Sequence, residues 1–428
     1  MTARVGDAPR RALTVGRVDV KRARLLLAAL VLASSAFAIR YHDGHDFVNN
    51  VWAPVHGLLA GYNPYDPADV EYYLRYQVPV VAGLYLPTAL LVHSPLALVK
   101  ESRSADIMAA LDALLIWLGV LLLIPPRTFR ACTAAGFAGT LIVLSAPAQD
   151  TVFLGQLSAA AFAGLALLVA SLRSDPSARW LPAVGVALVA LKPQSAIPIL
   201  VALAVLKESK VLARAGLILA ATSLPGALLF LRVNPAPSAV IATITSNLNH
   251  LSNLPPNDLT NAANIRIDAL GILSHLGGPA LSGFAWTGVT FAVATVLLVA
   301  ALRAMPLTSR ALPDPNVVSV VTLYIVVSLI HLSYDQLILY TGSLTALYVI
   351  TESERPSHHS HLIALGGIVL AAVGLFFRSG IRALMIEVLS PVLPIYAMWL
   401  CLPTLVVLGV VAIALMLDRH CSMSKVVT

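Results

Sequence analysis

The sequence predicts an all-α, polytopic integral membrane protein, and three observations carry that expectation. Of its 428 residues, 58% are hydrophobic and only 11% are charged, against roughly 25% charged in an ordinary soluble domain. The mean hydropathy is +0.84. The apolar residues also fall into long runs, and a bilayer crossing needs about 20 such residues in a helix. No single aqueous core buries that much apolar surface, whereas hydrocarbon solvates it.

The first 24 residues form a basic tail. Arg4, Arg10, Arg11, Arg17, Lys21, Arg22 and Arg24 precede the first apolar run. Positive charge beside a first span marks the cytoplasmic side. The same residues account for much of the net charge of +7. No basic stripe is interleaved with aromatics, so nucleic acid is not an expected partner. The first run lacks a small-residue cleavage site and many runs follow it, so it is expected to be a retained helix rather than a signal peptide.

Apolar runs recur near residues 25–40, 80–99, 106–124, 131–147, 157–172, 180–206, 212–231, 284–303, 317–333, 335–351, 361–378 and 393–417. At about 20 residues per crossing they predict about 11 to 13 helices. Lys192-Pro193 interrupts the run 180–206. Proline removes a backbone donor and clashes one turn back, so this stretch is one kinked span or two short helices.

Two polar stretches are too long for tight connections. Residues 41–79 carry Asp43, Asp46, Asp66, Asp69 and Glu71 with the turn-rich Gly61-Tyr62-Asn63-Pro64-Tyr65-Asp66-Pro67, and residues 232–270 are rich in asparagine. Long ordered loops tend to carry function. With a cytoplasmic N-terminus residues 41–79 fall on the outer face, and residues 232–270 fall there too if Lys207–Lys210 are inside and 212–231 cross once. The expected organisation is a tail over 1–24, one transmembrane domain over 25–417 and a cytoplasmic tail over 418–428, in the plasma membrane. Cys132, Cys401 and Cys421 have no metal or disulfide spacing.

The strongest chemical signal is Tyr41-His42-Asp43-Gly44-His45-Asp46-Phe47, where the first helix leaves the membrane. A carboxylate at such a border is suited to accept a proton, because a lower dielectric raises its pKa. Asp43 and Asp46 both qualify, and each could equally be a helix cap or a solvated loop acid. Leu191-Lys192-Pro193-Gln194 places a lysine inside an apolar run. Such residues are costly and mark sites. An ammonium suits a phosphate, although a snorkelling lysine has the same pattern.

Gly155-Gln156-Leu157-Ser158 opens an apolar helix with an amide that can bond a hydroxyl or a neighbouring helix. His331-Leu332-Ser333-Tyr334-Asp335-Gln336 is a polar knot between two runs, either a site wall or a plain turn. Tyr85-Leu86-Pro87 kinks the second helix, and Arg266 with Asn264 ends the second long loop. Arg266 could grip a phosphate or be a surface charge. Neighbouring histidines at His358, His359 and His361 do not converge as tetrahedral ligands. No metal and no cofactor is expected, and no nucleotide-binding loop occurs.

Taken in order, Asp46-Phe47, Leu58-Leu59-Ala60-Gly61-Tyr62-Asn63-Pro64-Tyr65, Tyr85-Leu86-Pro87, Ser94-Pro95-Leu96-Ala97, Gly155-Gln156 and Leu191-Lys192-Pro193-Gln194 resemble the polyprenyl-phosphate-sugar-dependent glycosyltransferases of the GT-C fold. The likeness is to glycosyltransferase family 87 in particular, whose members include mannosyl- and arabinofuranosyltransferases. It spans about residues 25–206 with a weaker echo near 331–340. Where the family often has paired histidines, this chain has Tyr334-Asp335-Gln336-Leu337.

The resemblance implies transfer of a sugar from a polyprenyl-phosphate carrier to a glycolipid or polysaccharide acceptor at the outer face. It casts Asp46, with Asp43 as second candidate, as the catalytic base. Lys192 and Arg266 would bind the donor phosphate. Gln156, Tyr65, Tyr85, Gln194, His331 and Asp335 would line the sugar or acceptor pocket. The competing expectation is a transporter or flippase, in which Lys192 and Asp46 would be binding charges near the bilayer centre.

Overall fold

The structure, a computed structural model, describes residues 8–62, 87–174, 180–233, 266–275, 284–305, 312–353 and 358–376, with a few isolated positions besides. Helix dominates throughout, and no strand occurs among the described residues. The first helix, α1 (Ala8–Ile39), is followed by a turn at Gly44. Helical dihedrals then continue through α2 (His45–Phe47), a π turn (Val48–Trp52) and α3 (Ala53–Leu59). After α4 (Pro87–Ala97) come α5 (Glu101–Leu123), α6 (Phe129–Leu144) and α7 (Ala146–Leu154). Next are α8 (Ser158–Ser174), α9 (Trp180–Val189), α10 (Pro193–Val205) and α11 (Ser209–Val233). The remainder comprises α12 (Ala269–His275), α13 (Phe284–Ala304), α14 (Pro315–Ser328), a 3-10 helix over Ser333–Leu339, α15 (Tyr340–Glu352) and α16 (His358–Phe376).

Helix starts follow from side-chain chemistry. Thr128 Oγ1 accepts the Ala131 N–H at 3.1 Å to cap α6. Asp314 Oδ1 accepts the Asn316 N–H at 2.8 Å to cap α14, with Pro315 at the first helical position. Each cap satisfies an amide that the helix itself leaves orphaned.

Among the described residues, four helices are long and apolar enough to cross a membrane: Asp19–Ile39, Glu101–Leu123, Ser209–Val233 and Ala285–Ala304. The pair α6 and α7, bent by 61°, makes a fifth if it is one span. Five shorter apolar helices accompany them. Several of the apolar runs are broken, and local chemistry gives the reason. The break at Ser145 is followed by Pro147, and α7 ends at the left-handed Gly155. Lys192 is extended, with φ −109°, and Pro193 opens α10. The run 180–206 is therefore two short helices. The backbone is extended again at Leu329 and Leu332, which divides the runs near 317–351. The run 393–417 and the C-terminal tail lie almost wholly outside the described residues.

The outer surface is apolar in helical register. Ile107, Leu111, Leu114 and Leu118 stand exposed along α5, while Met108, Asp112 and Ile116 on its other side are buried. An exposed stripe of that kind is stable against lipid and not against water. Inside, α8 and α9 touch backbone to backbone. A Cβ on Gly164 would lie 2.5 Å from the Gly185 carbonyl oxygen, and the reverse holds too. Close approach through small residues is how membrane helices gain packing contact. Trp117 on α5 donates its indole N–H to Ser34 Oγ on α1 at 3.2 Å.

Of three apolar clusters among the described residues, two frame the site. The larger joins α1 to α5–α10, α14 and α15. The smaller contains Phe47, Trp52, Met108, Leu157 and Leu191. Three of its members are chain neighbours of Asp46, Gln156 and Lys192, so this cluster is the apolar bed on which those polar groups rest.

Candidate active site

Asp46 sits in the short helix that follows α1. The backbone N–H groups of Asp43 and Gly44 both donate to the Phe153 carbonyl, at 3.0 and 2.7 Å. The turn after α1 is thereby pinned to the end of α7. That contact needs glycine at 155, where φ is 71° and a Cβ would come within 2.6 Å of Phe47 Cβ. With the chain so close, Gln156 Nε2 donates to Asp46 Oδ2 at 2.6 Å. Asp46 is half-buried, whereas Asp43 is exposed. Burial pushes the Asp46 carboxyl above the usual carboxylate range, against the opposing pull of His45, the Gln156 hydrogen bond and Lys192. Oδ2 is fixed, and Oδ1 accepts no hydrogen bond from the described residues.

A second polar centre lies behind the first. Lys192, at the break between α9 and α10, is 1% exposed. Its ammonium donates to Asp335 Oδ1 and, at 2.7 Å, to Ser158 Oγ. It also stands 4.5 Å from the centre of the Tyr334 ring. The Ser158 hydroxyl in turn donates to Asp335 Oδ1 at 2.7 Å. The other oxygen, Oδ2, receives His331 Nδ1 at 3.0 Å and the Leu332 N–H at 3.2 Å. Asp335 therefore accepts four hydrogen bonds, which is about all a carboxylate can take. It is a hub inside the protein, with nothing left for a ligand. His331 Nε2, by contrast, is buried without a hydrogen-bond partner.

The two centres sense each other, because Lys192 and Asp46 lie within mutual electrostatic reach. A third carboxyl joins them. Asp112, in the middle of α5, is fully buried, neither of its oxygens has a hydrogen-bond partner, and Lys192 is within its electrostatic reach. Three carboxyl groups thus act on one ammonium, Asp335 by direct contact and Asp46 and Asp112 through space.

The structure brings together five residues that the sequence singled out: Asp46, Gln156, Lys192, His331 and Asp335. Gln194 follows Lys192 in the first turn of α10 and is half-buried. Arg266 is buried, and its Nε and Nη2 both bind the Asp268 carboxylate at 2.8 Å. Tyr65, Tyr85 and Asn264 lie outside the described residues. Sequence reasoning passed over Ser158 and Asp112. For Ser158 the signal was its place in Gly155-Gln156-Leu157-Ser158. For Asp112 it was an acid inside the apolar run 106–124, a pattern that marks intramembrane sites.

The family model for glycosyltransferase family 87 matches residues 84–333, more than half of the chain. This chain belongs to glycosyltransferase family 87. It is a multi-pass membrane glycosyltransferase, and sugar donor and acceptor are its substrates. No curated protein and no solved structure matches it. The part of this family 87 member that the match covers includes Gln156, Ser158, Lys192, Arg266 and His331. Asp46 and Asp335 lie outside those limits, and only the fold carries them to the other residues.

Proposed function

We propose that this family 87 enzyme moves a sugar, mannose or arabinofuranose, from a polyprenyl-phosphate donor to a glycolipid or polysaccharide acceptor at the outer face of the plasma membrane, with the N-terminus in the cytoplasm. The observation that carries the proposal is Asp46 itself. It is a half-buried carboxylate with one oxygen held by Gln156 and the other open, beside a buried cation.

Asp46 Oδ1 takes the proton of the acceptor hydroxyl as that oxygen bonds to the anomeric carbon. The bond between that carbon and the phosphate oxygen breaks at the same time. Its electron pair leaves with the lipid phosphate, and the anomeric configuration inverts. The departing phosphate gains one negative charge. Lys192 supplies positive potential there while Asp335, Ser158 and the Tyr334 ring hold its ammonium in place. Fixed charges of this type are commonly worth a few kcal/mol in a transition state. Gln156 sets the direction in which Asp46 faces the acceptor, and His331 Nε2 offers a polar contact to the sugar. Gln194, in the first turn of α10, is a further candidate for contact with the sugar or acceptor.

The test is transfer of radiolabelled sugar from polyprenyl-phosphate mannose or arabinofuranose, in membranes holding wild type or Asp46→Asn. Asparagine keeps the shape and removes the base. Transfer from one donor with a loss of about a hundredfold in the variant is expected, the usual worth of a general base. Equal transfer by both proteins removes Asp46 from the mechanism. Solute movement without transfer from either donor favours a transporter instead.

A further inference from the structure

The second long loop rejoins the described fold at Arg266. There the chain pairs with the polar knot rather than with a helix. Arg266 and Leu332 form an isolated antiparallel bridge, and the Ile267 N–H donates to the His331 carbonyl at 2.9 Å. The Arg266 guanidinium forks onto Asp268, with Nε to Oδ2 and Nη2 to Oδ1 both at 2.8 Å. Both side chains are almost wholly buried. Asp268 Oδ1 also accepts the N–H groups of Leu270 and Gly271, at 3.1 and 3.3 Å, and so starts α12. The turn is tight: a Cβ on Gly271 would meet the Arg266 carbonyl oxygen at 2.6 Å.

On the opposite side of the bridge, Leu329 and Leu332 are extended, so no helix holds the chain between α14 and the 3-10 helix. Yet two of the four donors to Asp335, the His331 ring and the Leu332 N–H, come from this unsupported stretch. Their position is fixed from outside by residues 266 and 267.

We infer that Arg266 and Asp268 are positioning residues, a buried clamp that holds the 331–332 backbone in register and thereby keeps Asp335 on Lys192. The fork matches a guanidinium to a carboxylate with two parallel hydrogen bonds, the geometry that best converts charge into orientation. Arg266 spends its charge on Asp268, so it acts through the knot and not on the donor phosphate. The catalytic consequence rests on the role proposed above for Lys192 and Asp335. The mechanical one does not.

The first measurement is therefore independent of turnover. Purified full-length protein is treated with an amine-reactive reagent, and modification of Lys192 is followed by mass spectrometry. Wild type should stay unmodified at Lys192, and Arg266→Gln or Asp268→Asn should label at least about tenfold faster. Continued protection in both variants overturns the clamp. Should a single variant fail to fold, Arg266→Leu with Asp268→Leu leaves no charge unpaired and serves the same measurement.

The second measurement is kinetic. Asp268→Asn keeps the arginine's charge, so the clamp predicts that it lowers kcat as much as Arg266→Gln does. The fall should be about tenfold or more, with donor KM within about twofold, and the double variant should be no worse than either single one. A donor KM raised about tenfold by Arg266→Gln, with Asp268→Asn unaffected, puts Arg266 on the phosphate and defeats the inference. Labelling of Lys192 in a protein with no transfer from any polyprenyl donor keeps the clamp and sinks the donor proposal.

Discussion

Gln156 reaches across 110 residues of sequence to donate to Asp46 at 2.6 Å. The bond orients the carboxylate and also favours its charged form. In Gln156→Ala that support is gone, so the pKa of Asp46 rises further. A general base works only when deprotonated, and activity climbs as pH rises through its pKa. The acidic limb of the kcat/KM profile should therefore move to higher pH, with a fall in kcat of about tenfold or more. An unmoved limb would detach Gln156 from the base.

Gly155→Ala should damage the same pair by a backbone route. The left-handed φ of 71° disfavours any Cβ, and that atom would lie 2.6 Å from Phe47 Cβ. Strain and overpacking of this sort cost about 1–3 kcal/mol each. A lower melting temperature in detergent is expected, together with reduced transfer. Gly61→Ala is the control, since φ there is also positive but nothing lies within 4 Å. Equal damage from both changes would assign the effect to backbone strain alone.

Lys192 and Asp335 form a buried pair, at 1% and 0% side-chain exposure. Removal of one member strands the other's charge and costs about 3–5 kcal/mol, while a matched apolar pair is often neutral. Lys192→Met and Asp335→Leu should each destabilise strongly. Their combination should recover stability and remain inactive. A double variant as unstable as either single one would mean that the knot needs the ion pair to fold.

Asp112 gives the opposite forecast. Its oxygens accept no hydrogen bond from the described residues, so none offsets their burial. Asp112→Leu should raise thermal stability by about 1–3 kcal/mol. Transfer should fall about tenfold or more, following the trade between stability and activity seen at strained sites. A variant that is more stable and fully active would reduce Asp112 to a structural accident.

Much of the site was legible because membranes make polar residues conspicuous. Asp46, Gln156, Lys192, His331 and Asp335 each stand at the edge or break of an apolar run, and each joins the cluster. Pairing was not legible. Nothing in Lys192-Pro193-Gln194 says that the ammonium belongs to an aspartate 143 residues later, because a partner across helices leaves no local spacing. The same ignorance left Arg266 as a phosphate ligand or a surface charge, since Asp268 two residues on reads as an ordinary loop acid. Asp112 was not legible because it lies within a run, where no break in the apolar pattern marks it. Periodicity registers apolar length, but Pro147, Pro193 and the left-handed Gly155 cut that length into half-spans.

The separation of Lys192 from Asp335 has a consequence for biogenesis. At about 5–20 residues per second, a ribosome that has made the lysine needs roughly 7–30 s to deliver its counter-ion. During that interval a nascent α9–α10 hairpin carries an unmatched ammonium and has reason to linger at the headgroup level. Only when residues 333–339 emerge does burial become favourable. The order of synthesis thus postpones burial of the Lys192 ammonium until the polypeptide beyond residue 335 has been made.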